Sequence, residues 1–185
     1  AGADEFITFN IHEKCVLDFF NIPAKSLSAI PAIAKFVGKN NDDLLIVAPD
    51  KGAYGFAREI AEILDCQCTY LSKVRHSGDN VETRIVDVRC DGASEETVNV
   101  DAVKGKRAII IDDIIATGGT IVNAINILKA HGAESVDVCC VHPILVNGAT
   151  ARIYNAGARS IISTNSISSD TSRVSLADII AEEIK

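Results

Sequence analysis

Apolar and polar positions along the chain follow two periods in turn, and the alternation predicts strands and helices. Phe6 to Phe9 reads as a short strand, and Leu44 to Ala48 (LLIVA) as a strand buried on both faces. Ile30, Ile33, Ala34 and Val37 fall on one helical face closed by Gly38, and Phe56, Ala57, Ile60, Ala61 and Leu64 form a second stripe. Thr69 to Leu71 and Val81 to Val88 read as strands. The polar run from Lys73 to Asn80 (KVRHSGDN) reads as a loop between them, and Asp91 to Glu96 as a turn. Ile109-Ile110-Ile111 is a dense β-branched strand, followed by a helix with Ile121, Ile125 and Leu128 on one face and Gly132 as its stop. Val136 to Val141 is a strand, Ala149 to Asn155 a helix and Ser160 to Ser163 a final strand. Leu176, Ile179, Ile180 and Ile184 then keep helical spacing. Strands alternating with helices predict an α/β fold with a mostly parallel central sheet flanked by helices.

Composition narrows the class. A chain of 185 residues buries a real core and normally makes one domain with appendages. Apolar residues at 48% and charged residues at 23% are ordinary for a globular protein. The formal charge of −7 provides no bulk field for nucleic acid or an anionic membrane surface. No apolar run approaches the roughly 20 residues of a membrane span, and no stretch has the pattern of a signal peptide. Neither nucleic acid nor membrane is therefore expected as a partner. Cys15, Cys66, Cys68, Cys90, Cys139 and Cys140 form no zinc-type spacing and read as reduced packing residues of a cytoplasmic protein. The chain contains no Met and opens Ala1-Gly2-Ala3-Asp4, followed at once by a strand, as the middle of a domain would.

The chemistry is densest from Arg107 to Thr120 (RAIIIDDIIATGGT). Asp112 and Asp113 are expected at the end of a buried strand, and Thr117-Gly118-Gly119-Thr120 turns the chain into a helix. Ligands of open α/β sheets bind outside the carboxyl ends of the strands. A helix N-terminus after a glycine loop offers N–H groups and a positive dipole end to an anion. The two acids repel a bare phosphate and suit hydroxyl donors or a divalent cation. A ribose phosphate has both parts. Plain helix capping needs only one such residue. Asp50, in the segment Ala48-Pro49-Asp50-Lys51-Gly52, sits at a second strand end, where it either faces the same site or caps the next helix. His12, in Asn10-Ile11-His12-Glu13, follows the first strand, where it either helps to bind a hard cation or serves as a structural residue. Lys73, Arg75 and His76 supply cations that suit a closing polyphosphate loop, or they are ordinary surface basics.

These segments together resemble the type I phosphoribosyltransferase fold, and among its members the ribose-phosphate diphosphokinases (PRPP synthetases). DDIIATGGT alone also resembles adenine phosphoribosyltransferases. The wider set, FITFNIHEKCVLDFFNIP, APDKGA, SKVR, CVHP and SRVSLADIIAEEI, follows the order found in PRPP synthetases over the whole chain, in an archaeal-like version. Where bacterial and animal members carry Asp, this chain has Asn10, Asn21 and Lys25. The resemblance implies transfer of diphosphate from ATP to the 1-hydroxyl of ribose 5-phosphate, with Mg²⁺, giving PRPP and AMP. It implies Lys73 and Arg75 as catalytic residues. Arg75, Asp112, Asp113, Ala116, Thr117, Gly118, Gly119 and Thr120 would bind ribose 5-phosphate, and His12 and Asp50 would serve the metal.

The same resemblance implies three regions. Residues 1–40 would be the remnant of a first phosphoribosyltransferase-like half, 41–170 a complete domain, and 171–185 a C-terminal helical arm. Members are longer than this chain, so a fragment lacking part of the ATP site is expected. Its partner would be a second copy or a complementary N-terminal half. The alternatives are a phosphoribosyltransferase acting on PRPP and a purine base, or a non-catalytic binding subunit.

Overall fold

Side chains that alternate across each central strand build two cores, one on either face of a single sheet. The computed structural model describes residues 2–38, 43–75, 81–87 and 102–184. The strands of the large sheet are β3 (Leu44–Ala48), β4 (Gln67–Arg75), β5 (Val81–Asp87), β6 (Arg107–Ile115), β7 (Ser135–Pro143), β8 (Ser160–Thr164) and β9 (Ser172–Val174). A separate two-stranded parallel sheet is made by β1 (Phe6–Phe9) and β2 (Ala24–Leu27). The helices are α1 (Ile30–Val37), α2 (Tyr54–Leu64), α3 (Gly119–Ala130), α4 (Ala149–Ala156) and α5 (Ala177–Glu183), with a 3₁₀ segment at Lys14–Phe19.

The large sheet runs β5-β4-β3-β6-β7-β8-β9, and only β5 is antiparallel to its neighbour. Ile109 and Ile111 pack with Ile33, Ala57, Ile60 and Leu64 from α1 and α2. Ile110 and Ala108 pack with Ile121, Ala124, Ile125, Leu128 and Ile153 from α3 and α4. Ile109, Ile110 and Ile111 are all fully buried, as a strand covered on both faces requires. Each such side chain contributes about 1.5–3 kcal/mol of burial.

Several boundaries differ from the sequence reading. The loop expected from Lys73 is strand as far as Arg75. Lys73 pairs with Thr83 and Arg75 with Val81, because ladder bonds to β5 hold backbone that composition alone marks as polar. The remaining loop residues, including His76, and the turn at 91–96 lie outside the described residues. Ser160–Thr164 is not the last strand: β9 joins it at the sheet edge, so the 171–185 segment opens with a strand. The short strand β2 and the 3₁₀ segment carried no periodic signal. Cys139 and Cys140 are buried as expected, and burial pushes the Cys139 thiol up to about 12. Cys15 is instead exposed, because it lies on the 3₁₀ segment, which buries none of its residues. Cys90 lies outside the described residues.

At the amino ends of β6, β7 and β8 a single buried carboxylate gathers its neighbours. Asp137 is fully buried and accepts hydrogen bonds from Arg159 Nε at 3.0 Å, Ser160 Oγ at 2.6 Å and Arg107 Nε at 3.3 Å. Burial alone would raise its pKa, but the Arg159 and Ser160 bonds outweigh it and hold the carboxyl below its ordinary value. A depressed carboxyl contributes stability above its unfolded pKa and loses it as pH falls through the folded one. Asp137→Asn is expected to lower unfolding free energy at neutral pH by about 2–3 kcal/mol. In urea titrations the difference from wild type should shrink toward acid pH, as the wild-type carboxylate is itself protonated.

Candidate functional site

Because β3, β6 and β7 are parallel, their carboxyl ends reach the same edge of the sheet. A cleft of ≈ 1110 Å³ opens there, lined by His12 from the segment after β1, Asp50 from the turn after β3, and Asp112 and Asp113 of β6. The sequence reading placed the two acids where the strand ends, but β6 runs on to Ile115. The β6–β7 ladder continues through Asp112 paired with Cys140 and Ile115 paired with Pro143, so the acids are held by backbone bonds.

The three acids and the imidazole form one electrostatic unit. His12 Nδ1 lies 2.6 Å from Asp113 Oδ2. That hydrogen bond, with the charge of Asp113, raises the His12 pKa above its ordinary value. The Asp113 N–H donates to Asp112 Oδ1 at 3.0 Å. Partial burial comes first among the causes that push Asp112 up to about 7; the charge of Asp113 and, more weakly, that of Asp50 add to it. Asp50 Oδ1 accepts the Ala53 N–H at 3.1 Å as the chain enters α2, so Asp50 makes the helix-entry bond and also lines the cleft.

Just after β6 the chain makes the glycine turn. Gly118 sits at φ 75° and precedes the first residue of α3. A Cβ on Gly118 would lie 3.1 Å from Ile153 Cδ1, so a side chain is excluded by conformation and by packing. The carbonyls of Ile115 and Ala116 accept the N–H groups of Leu145 at 2.9 Å and Val146 at 3.0 Å. The first turn of α3 then offers the donors and positive dipole end that an anion uses. Residues 116–120 do not line the acidic cleft itself, but they continue β6 directly beyond it.

Lys73 and Arg75 belong to the outer part of β4 rather than to a loop. Among the described residues no group of three or more His, Cys, Asp and Glu gathers as a closed metal cage. The donor chemistry nonetheless suits a hydrated divalent cation. Mg²⁺ keeps several waters and takes one or two carboxylates, and a cation would relieve the neighbouring negative charge that adds to burial in raising Asp112.

Other residues around the site have roles that the sequence reading did not assign to them. Asn10 adopts φ 36°, and its side-chain oxygen accepts the Ala29 N–H at 2.7 Å ahead of α1. Ser26 Oγ accepts the Ile11 N–H at 3.0 Å, fixing the segment that carries His12. Asn10 is thus a backbone anchor, and Lys25 pairs with Glu5 at 2.7 Å and with Glu183. Glu13, Ser28 and Glu59 also line the cleft, although their spacing in the chain suggested nothing. No helix among the described residues is long and apolar enough to cross a membrane.

Comparison with known proteins gives a consistent picture. Residues 20–173 match the family described as phosphoribosyl transferase domain. The chain is 73% identical, over its whole length, to a ribose-phosphate pyrophosphokinase of Methanobrevibacter smithii, of which it covers 62%. It is 48% identical to one from Methanothermobacter thermautotrophicus, covering 60% of that protein. The chain therefore spans about three-fifths of the length of these curated relatives. It also superposes on the crystal structure of phosphoribosylpyrophosphate synthetase from Mycobacterium smegmatis with a TM-score of 0.78 at 28% identity. That match covers 99% of this chain and 58% of the other.

The Asp112 geometry yields a pH prediction. Its folded pKa lies above the unfolded value, so the folded state binds the extra proton and loses stability as pH rises from about 4 to 7. Asp112→Asn keeps the Oδ1 acceptor and removes the charge. In metal-free buffer its melting temperature should exceed wild type at pH 8, and the gap should close only toward pH 4. An equal gap at both values would refute the assignment.

Proposed function

We propose, from the premise that the chain belongs to the phosphoribosyl transferase domain family, that it forms the ribose 5-phosphate side of a ribose-phosphate diphosphokinase. The observation that carries this reading is the gathering of His12, Asp50, Asp112 and Asp113 around one cleft, directly before the glycine turn that opens α3. Full-length similarity to relatives named ribose-phosphate pyrophosphokinase supports it.

In this reading Ala116, Thr117, Gly118, Gly119 and Thr120 hold the 5-phosphate through backbone N–H groups and the Thr hydroxyls. Asp112 and Asp113 accept hydrogen bonds from the ribose hydroxyls and orient the sugar. The 1-hydroxyl oxygen gives up its proton to solvent and forms a bond to the β-phosphorus of ATP, while the bond from that phosphorus to the α–β bridging oxygen breaks, releasing AMP. Lys73 and Arg75 offset charge that grows on the transferred and leaving oxygens, and Arg75 also contacts the sugar phosphate. His12 and Asp50 would hold Mg²⁺, which would supply charge neutralisation on the diphosphate. The His12–Asp113 hydrogen bond keeps the imidazole oriented toward the cleft rim.

The assay is AMP release from Mg-ATP with and without ribose 5-phosphate, beside calorimetric binding of ribose 5-phosphate. Dependence of AMP release on the sugar phosphate, or tight sugar-phosphate binding without turnover, supports the reading. Consumption of PRPP with purine bases and no AMP release selects a phosphoribosyltransferase instead. Thr120→Ala is expected to weaken ribose 5-phosphate binding by about 1–2 kcal/mol, one hydrogen bond to a charged group. Lys73→Ala, assayed with the complementary half where turnover needs it, is expected to lower kcat and leave that binding unchanged. A Lys73 variant altered only in sugar-phosphate affinity would overturn its catalytic role.

A further inference from the structure

We infer that Arg152 is a positioning residue that locks the phosphate turn from behind, a role that rests on the ribose 5-phosphate reading above. Arg152 lies on α4, and its guanidinium donates from Nη2 to the Thr117 carbonyl and from Nη1 to the Asn147 carbonyl. A trans peptide sets its C=O and N–H on opposite sides. A carbonyl of Thr117 held toward α4 therefore turns the Gly118 N–H away from α4. The same logic applies one and two peptides earlier. The Ala116 carbonyl is held by the Val146 N–H and the Ile115 carbonyl by the Leu145 N–H, so the N–H groups of Thr117 and Ala116 are turned away as well.

Two features single out Arg152 within this brace. The Thr117 carbonyl belongs to the peptide that leads into Gly118, whose φ of 75° only a few residue types adopt without strain. The next residue of α4, Ile153, is fully buried and packs under Gly118. One turn of α4 thus supports the glycine from below and fixes the peptide before it. Guanidinium suits the task because its planar fork reaches two carbonyls at once, which an ammonium group does with less fixed geometry.

The test uses Arg152→Ala and Arg152→Lys in this chain. Amide hydrogen exchange is read without ligand, and calorimetric affinity is read for ribose 5-phosphate and for ribose. In Arg152→Ala, exchange at 116–120 is expected to rise about tenfold with α2 unchanged. Ribose 5-phosphate affinity should fall about tenfold while any ribose affinity holds. Arg152→Lys should recover part of both. Unchanged exchange at 116–120 overturns the lock. Raised exchange with unaltered ribose 5-phosphate affinity overturns its part in binding. A wild-type chain that does not bind ribose 5-phosphate overturns the function proposed above, and the exchange measurement then reads the lock on its own.

Discussion

Strand β6 is paired on both edges, to β3 and β7, and covered on both faces, by α1 and α2 on one side and α3 and α4 on the other. This placement satisfies its backbone polar groups and removes Ile109, Ile110 and Ile111 from water at once. The site depends on that confinement. Asp112 and Asp113 are the last polar residues of that strand, and its ladders to β3 and β7 fix where they stand. The glycine turn starts where the ladder ends.

The edge that results is electrically divided. On one side three acids face a common cleft, and burial first, then the charges of Asp113 and Asp50, keep the Asp112 carboxyl high. On the other, the first turn of α3 presents N–H donors and a positive dipole end. A ligand that carries hydroxyl donors and an anion a few ångströms apart matches both sides, and neither side alone would select it. At the opposite edge of the sheet, Asp137 performs the inverse task. It collects Arg107, Arg159 and Ser160, and the amino ends of three strands are bound to one carboxylate.

The main elements were legible because β-branched runs and helical stripes report burial directly, as at Leu44–Ala48 and at Ile121, Ile125 and Leu128. The elements that escaped lack that report. β2 is only half-buried along its length, and the outer end of β4 is a polar stretch of chain that the ladder to β5 holds as strand. The acids were recognisable from their pairing and from the TGGT run that follows them. Asn10 was read against the Asp of other family members. Its actual work, accepting the Ala29 N–H, depends on a helix that begins nineteen residues later in the chain.

The sequence by itself determined the α/β class, the central strand, the glycine turn and the pair of acids that precedes it. Each of these is encoded by neighbours in the chain, through side-chain period or backbone freedom. The tertiary structure decided which of those residues meet. His12 and Asp113 are 101 positions apart, yet their hydrogen bond sets the imidazole and the charge of the cleft. Arg152 reaches the Thr117 carbonyl across 35 positions and shows no pattern of its own. Such pairings arise because parallel strands bring distant chain segments to one edge, and no local periodicity records which side chains arrive there together.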